Sequence, residues 1–172
     1  LKTSFVELEG GASIYNAGST HQHVPEMERN LQRLTGAAMQ VGFTPQLAPM
    51  SRGILLTANC RLTKPVTPEA ARAAYLARYE GEPFVRVLDE GQRPTTRSVV
   101  GSNFCDVTVV ADPRTKRAVC VSALDNLGKG ASGAAVEGGV RGSVAAVQAA
   151  RVVLMGDAFS VPDVYLADVP GF

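Results

Sequence analysis

The sequence predicts an α+β domain, a mixed and largely antiparallel sheet with helices on one face. Three observations carry that reading. Strand-like and helix-like segments follow the order β-α-β-β-α-β-β-β-α, which lacks the strict alternation of a doubly wound fold. Asp112-Pro113-Arg114-Thr115 is the tight turn of a hairpin between two apolar runs. The one G-x-G-x-x-G string, Gly128-Lys129-Gly130-Ala131-Ser132-Gly133, comes after the last expected strand and so does not open a β-α-β unit as a dinucleotide fingerprint does.

The elements follow in order. Thr3–Leu8 alternates as a strand does, and Glu9–Thr20 is rich in turn residues. Pro25 sits where a first helical turn tolerates it, Met27, Leu31 and Leu34 recur at helical spacing, and Gly36 closes the helix. Two β-type runs, 41–47 and 53–62, are joined by Pro49-Met50-Ser51-Arg52-Gly53. Thr67-Pro68-Glu69 opens a second helix with a hydroxyl cap, a proline and an acid near the positive end of the dipole, and Gly81 stops it. Further strands are expected at Phe84–Leu88, around Val99, at Phe104–Ala111 and at Ala118–Leu124. Beyond Asp125 the pattern turns Gly-rich and then helical. An eleven-residue echo between Ser132-Gly-Ala-Ala-Val and Ser143-Val-Ala-Ala-Val fits one small-residue helix face rather than a repeat architecture.

Composition narrows the function. The chain has 172 residues, 45% of them hydrophobic, which suits one domain with a sizeable core. Its 17 basic and 16 acidic residues nearly balance and form no basic block, which gives no electrostatic support to a nucleic-acid or anionic-membrane partner. No apolar run is long enough for a spanning helix, and Leu1–Gly10 has no signal-peptide pattern. Cys60, Cys105 and Cys120 are an odd set at wide spacing, which speaks against a disulfide framework or a zinc site and for buried thiols in a reducing compartment. The chain opens at Leu1 directly in strand-like sequence, which reads as a cut inside a longer protein.

Three stretches could carry chemistry. His21-Gln22-His23-Val24-Pro25-Glu26 places two imidazoles in a loop entering a helix N-terminus, where the dipole lowers a histidine pKa and Glu26 could pair with a ring. A solvated loop with two harmless histidines is the plain alternative, and no third ligand stands at metal-binding spacing. Ser51-Arg52 lies between two strands, and Arg52 suits a carboxylate or phosphate, though a surface arginine in a turn is the commoner case. Asp125-Asn126-Leu127-Gly128-Lys129-Gly130-Ala131-Ser132-Gly133 offers close backbone approach and donors at a helix mouth, or merely a Gly-rich strand-to-helix turn. It does not match a P-loop.

Taken together these strings are more specific. Leu1-Lys-Thr-Ser-Phe5, Tyr15, His21-Gln-His-Val-Pro-Glu26, Ala48-Pro-Met-Ser-Arg-Gly-Ile54, Val100-Gly-Ser-Asn103 and Asp125–Gly133 occur in the order and spacing of the N-acetyl-γ-glutamyl-phosphate reductases. The chain closely resembles that family over roughly residues 1–136. The resemblance implies a glyceraldehyde-phosphate-dehydrogenase-like C-terminal domain that follows a Rossmann domain. Residues 1–127 would bind substrate and dimerise, 128–156 would form a helix returning to the other domain, and 157–172 match nothing in the pattern. It implies reduction of N-acetyl-γ-glutamyl phosphate by NADPH through a cysteine thioester in arginine biosynthesis, with the nucleophile upstream of Leu1, since none of the three cysteines has the family context. On that basis His21 is the acid/base group and His23 the second choice, with Tyr15 and Glu26 supporting. Arg52 and Ser51 would meet the substrate, and Asn126, Lys129 and Gly130 would lie near NADP. A homo-oligomer is implied, in the cytoplasm or, in a eukaryote, a plastid or mitochondrion. The alternatives are a non-catalytic dimerisation or regulatory domain of the same ancestry and a related semialdehyde dehydrogenase with another substrate.

Overall fold

The computed structural model describes Leu8, residues 10–133 and, as backbone, Asp163–Pro170. Most of the strand expected over Thr3–Leu8 and the returning helix beyond Gly133 lie outside the described residues. Two helices, α1 (Val24–Thr35) and α2 (Pro68–Arg78), accompany seven strands. The strands are β1 (Ser13–Ile14), β2 (Gln40–Leu47), β3 (Ile54–Arg61), β4 (Val85–Val87), β5 (Cys105–Asp112), β6 (Arg117–Leu124) and β7 (Asp163–Pro170). They form one sheet in the order β1-β2-β7-β3-β6-β5-β4. Four neighbouring pairs are antiparallel, while β2–β7 and β4–β5 are parallel, so the sheet is mixed and largely antiparallel as expected.

The helix signals hold in detail. Pro25 lies in the first turn of α1, and Gly36 ends it at φ +73°, donating its N–H to the Gln32 carbonyl. The Thr67 hydroxyl accepts from the Ala70 N–H, capping α2 as its sequence predicts. Asp112 organises the β5–β6 turn by accepting from the Arg114 and Thr115 backbone.

Register shows where the core sits. Cys105, Val107, Val109 and Ala111 of β5 share a face with Ala118 and Cys120 of β6, Ala58 and Cys60 of β3, and Val41 and Phe43 of β2. That face buries Leu31 of α1 and Ala71 and Tyr75 of α2, so both helices lie on the same side. The opposite face carries Leu55, Thr57, Asn59, Thr108, Val110, Val119 and Val121, all short of full burial, and Val110 is 45% exposed. The two edges end in strands of two and three residues, which limits open pairing.

Two segments differ from the sequence reading. The strand expected around Val99 is instead a run of tight turns. The Thr95 hydroxyl accepts the Ser98 N–H, the chain turns through a 3₁₀ segment at Thr96–Ser98, and Val99 is wholly buried beyond it. A short polar residue here competes with strand pairing through its own side chain. Residues 157–172, which carry no family pattern, include β7, inserted between β2 and β3 and paired to both.

Candidate active site

The histidine loop is fixed against the outer edge of β2. Tyr15 donates its N–H to the Pro45 carbonyl, and Ser19, at φ +61°, places its hydroxyl between the Val41 carbonyl and the Phe43 N–H, at 2.9 and 3.4 Å. His21 then enters a cluster of rings. Its centroid is 5.7 Å from Tyr15, 5.3 Å from Phe43 and 4.8 Å from His23, each pair edge-to-face. The imidazole is half-buried while His23 is exposed.

The tautomer is held by backbone. His21 Nδ1 accepts the His23 N–H at 3.2 Å, so neutral His21 carries its proton on Nε2. Partial burial, and then the nearby His23, lower the His21 pKa below its ordinary 6.5. The lowering matches expectation, but burial and a neighbouring imidazole are the causes found, rather than the helix dipole. Glu26 lies in the first turn of α1 and makes no hydrogen bond to either imidazole among the described residues. Its neighbour Glu28 instead ties α1 to β2 by accepting the Val41 N–H at 3.0 Å.

A second centre forms where the β3 start and the β6 end meet at one end of the sheet. Asp125 is wholly buried there. Its Oδ1 accepts from Arg52 Nε (3.1 Å), Leu127 N (2.9 Å) and Gly128 N (3.1 Å), and its Oδ2 from Arg52 Nη2 and Gly101 N, both at 2.6 Å. Burial raises the carboxyl pKa, but these donors outweigh it and leave Asp125 below the ordinary carboxylate value. Arg52, about one-third exposed, commits its Nε–H and one Nη2–H to this ion pair, which leaves the two Nη1–H groups and the second Nη2–H as its remaining donors. Ser51 beside it is exposed. No sequence signal singled out Asp125 over its neighbours, because its partners come from 24 and 73 residues away.

The glycines explain how these loops close. The Gly53 N–H meets Asn126 Oδ1 at 2.7 Å. A Cβ on Gly128 would lie 2.7 Å from the Ser102 carbonyl oxygen, and one on Gly133 would collide with Asn103 Oδ1. The Gly130 N–H reaches the Asp125 carbonyl and the Ser132 N–H that of Leu127, five-residue steps that make Gly128–Ser132 a single π-turn. Lys129 is wholly buried, its Nζ 5.1 Å from the centre of the Phe84 ring. In this arrangement the Lys129 side chain presents no surface of its own. Gly130 shapes the turn, and of the three residues expected near NADP only Asn126 brings a half-buried polar side chain.

The three thiols fit no nucleophilic role. Cys60, Cys105 and Cys120 are all buried on the core face. Burial pushes the Cys60 pKa up to about 12 against a weaker pull from Arg117. Among the described residues no three His, Cys, Asp or Glu side chains gather as metal ligands, and no helix is long and apolar enough to cross a membrane.

Residues 1–126 match the family model described as the semialdehyde dehydrogenase dimerisation domain. The chain belongs to that family. This dimerisation domain is 50% identical to an N-acetyl-γ-glutamyl-phosphate reductase of Geobacter sulfurreducens over 133 residues, 77% of this chain and 38% of the relative. It is 50% identical over 137 residues to a protein of the same name from Desulforamulus reducens, covering 80% and 39%. With that of Corynebacterium diphtheriae it shares 47% over 131 residues, covering 76% and 38%. The domain thus spans about two-fifths of the length of these relatives. Among solved structures, aspartate semialdehyde dehydrogenase II of Vibrio cholerae superposes with a TM-score of 0.51 at 18% identity, over 79% of this chain and 37% of that one. That likeness supports the dehydrogenase-type C-terminal fold expected from the sequence.

Proposed function

We propose that this domain is the substrate-binding and dimerisation part of an N-acetyl-γ-glutamyl-phosphate reductase. The observation that carries the reading is His21, half-buried among Tyr15, His23 and Phe43 with its Nδ1 fixed by backbone. The resemblance and the named relatives supply the substrate, and the geometry supplies the chemistry of the side chains. NADPH would supply the hydride when bound, and Asn126 would help to hold it. His21 stays neutral near pH 7 and presents Nε2–H as a donor to the acyl oxygen or to a thiolate brought from outside these residues. Tyr15 and Phe43 keep its ring from rotating away. Arg52 and Ser51 meet an anionic group of the substrate, while Lys129 and Gly130 hold the turn that carries Asn126. The outer sheet face supports self-association, since Val110 is exposed there and Leu55, Val119 and Val121 are only partly covered.

The test completes the domain with the nucleophile- and nucleotide-bearing portion of a reductase relative and measures turnover. His21→Ala should lower it by about 10²–10⁴-fold, the range for losing such a group, and His23→Ala should cost less. Greater damage from His23→Ala swaps the two roles. Changes of only a few-fold in both make the pair structural and remove the proposed site.

A further inference from the structure

A second role follows from the pattern of bonds between two adjacent pairs of residues. Arg52 binds the Asp125 side chain through Nε and Nη2, while the next residue, Gly53, donates its N–H to the side chain of the residue after Asp125, Asn126. Two parallel rungs therefore lock the β2–β3 loop to the end of β6. Gly101 adds the third loop through Asp125 Oδ2. The backbone donors Gly101, Leu127 and Gly128 could be served by a neutral acceptor. Only Arg52 calls for the charge, and a buried ion pair is weak evidence of a stabilising purpose, because desolvation offsets its attraction. The pair instead fixes the guanidinium plane of a partly exposed arginine on a loop, and with it where Nη1 and the second Nη2–H lie.

We propose that Asp125 is a positioning residue that aims Arg52 Nη1 at an oxyanion, the carboxylate or phosphate of the ligand. This rests on the assignment of Arg52 to the substrate. A guanidinium already oriented loses less side-chain freedom when it binds, so the fork raises affinity without touching the ligand. An unpinned cation at the same place keeps the charge and loses the aim.

The isotope-labelled chain can be titrated with N-acetyl-L-glutamate and, separately, with inorganic phosphate, following the Arg52 Nε–H signal and the Gly101 amide by NMR. In the wild type at least one of the two oxyanions should shift both signals, and which one does identifies the group that is bound. Asp125→Asn should weaken that binding about tenfold or more while the spectrum stays dispersed, and Arg52→Gln should abolish it. Arg52→Lys keeps the carboxylate's backbone donors and should weaken binding as Asp125→Asn does, which settles the question even if Asp125→Asn does not fold. Undiminished affinity in Asp125→Asn or Arg52→Lys overturns the positioning role and leaves Arg52 as the anion-binding group. No response of the wild type to either oxyanion overturns both.

Discussion

Gly53 is the residue on which the closure of the second centre is most exposed to a single change. It stands at φ +116°, a conformation that L side chains rarely adopt, and its N–H holds Asn126 Oδ1. An added Cβ would lie 2.8 Å from Thr96 Cβ and 2.9 Å from Thr96 Cγ2, contacts that real Cβ atoms essentially never make. Gly53→Ala therefore combines two costs. Backbone strain at such a position is about 1–3 kcal/mol, and forcing atoms into an occupied space adds about 1–3 kcal/mol. A loss of about 2–6 kcal/mol is a large part of the about 5–15 kcal/mol by which a domain is stable. Urea unfolding followed by circular dichroism measures the loss, and a cycle with Thr96→Gly separates the two parts. Removing the Thr96 side chain should restore about 1–3 kcal/mol to the Gly53→Ala protein beyond its effect on the wild type. The bond from Thr96 Oγ1 to Met50 Sδ is lost in both backgrounds and cancels in the cycle. A Gly53→Ala protein within about 0.5 kcal/mol of the wild type would refute the strain argument, and a zero coupling would refute the steric one.

Two further outcomes are open to measurement. The His21 ring should titrate below 6.5 in an NMR pH series. Because its folded pKa is depressed, the unfolded chain takes up the proton first, so this histidine's contribution to stability is present above 6.5 and is lost as pH falls through the folded value. His21→Gln should flatten that part of the stability–pH curve, and an unchanged curve would remove His21 as its source. Val110→Asp, on the outer sheet face, should shift the mass measured by light scattering at tens of micromolar toward the monomer, since it sets a charge in an uncovered apolar patch. A wild-type chain that is already monomeric there rules this face out as the contact.

Much of the fold was legible because its determinants are local. A capping hydroxyl three residues before the N–H it receives, a proline in a first turn and a glycine one residue past a helix all act within a few positions, as Thr67, Pro25 and Gly36 do. Apolar alternation in β2, β5 and β6 likewise marks the core face strand by strand. The order of the strands was less accessible. Nothing in the six residues between β2 and β3 shows that β7, more than a hundred positions later, occupies the slot between them. The segment around Val99 went wrong for a different reason. Thr95, Thr96, Val99 and Val100 are β-branched and favour a strand by propensity, but the Thr95 hydroxyl bonds to that of Ser98 and to the Ser98 N–H, and the turn prevails.

The site divides along the same physical line. His21, His23 and Tyr15 were readable as a group because they lie within nine positions and a ring pattern survives in sequence, and the structure does bring their rings together. What the imidazole can do depends on Nδ1, which is set by the backbone of His23 rather than by the carboxylate of Glu26 that composition points to. Residue type thus marks the place, and backbone direction decides the chemistry. Arg52 gives the converse case. Its type is right for an anion, yet two of its three nitrogens are committed to Asp125, a partner that only the fold supplies. An arginine free in solvent would hold an anion in several geometries, whereas one pinned through Nε and Nη2 keeps its remaining N–H groups in one fixed plane. On the proposed assignment of Arg52 to the substrate, the buried carboxylate behind it would shape recognition although no atom of it reaches solvent.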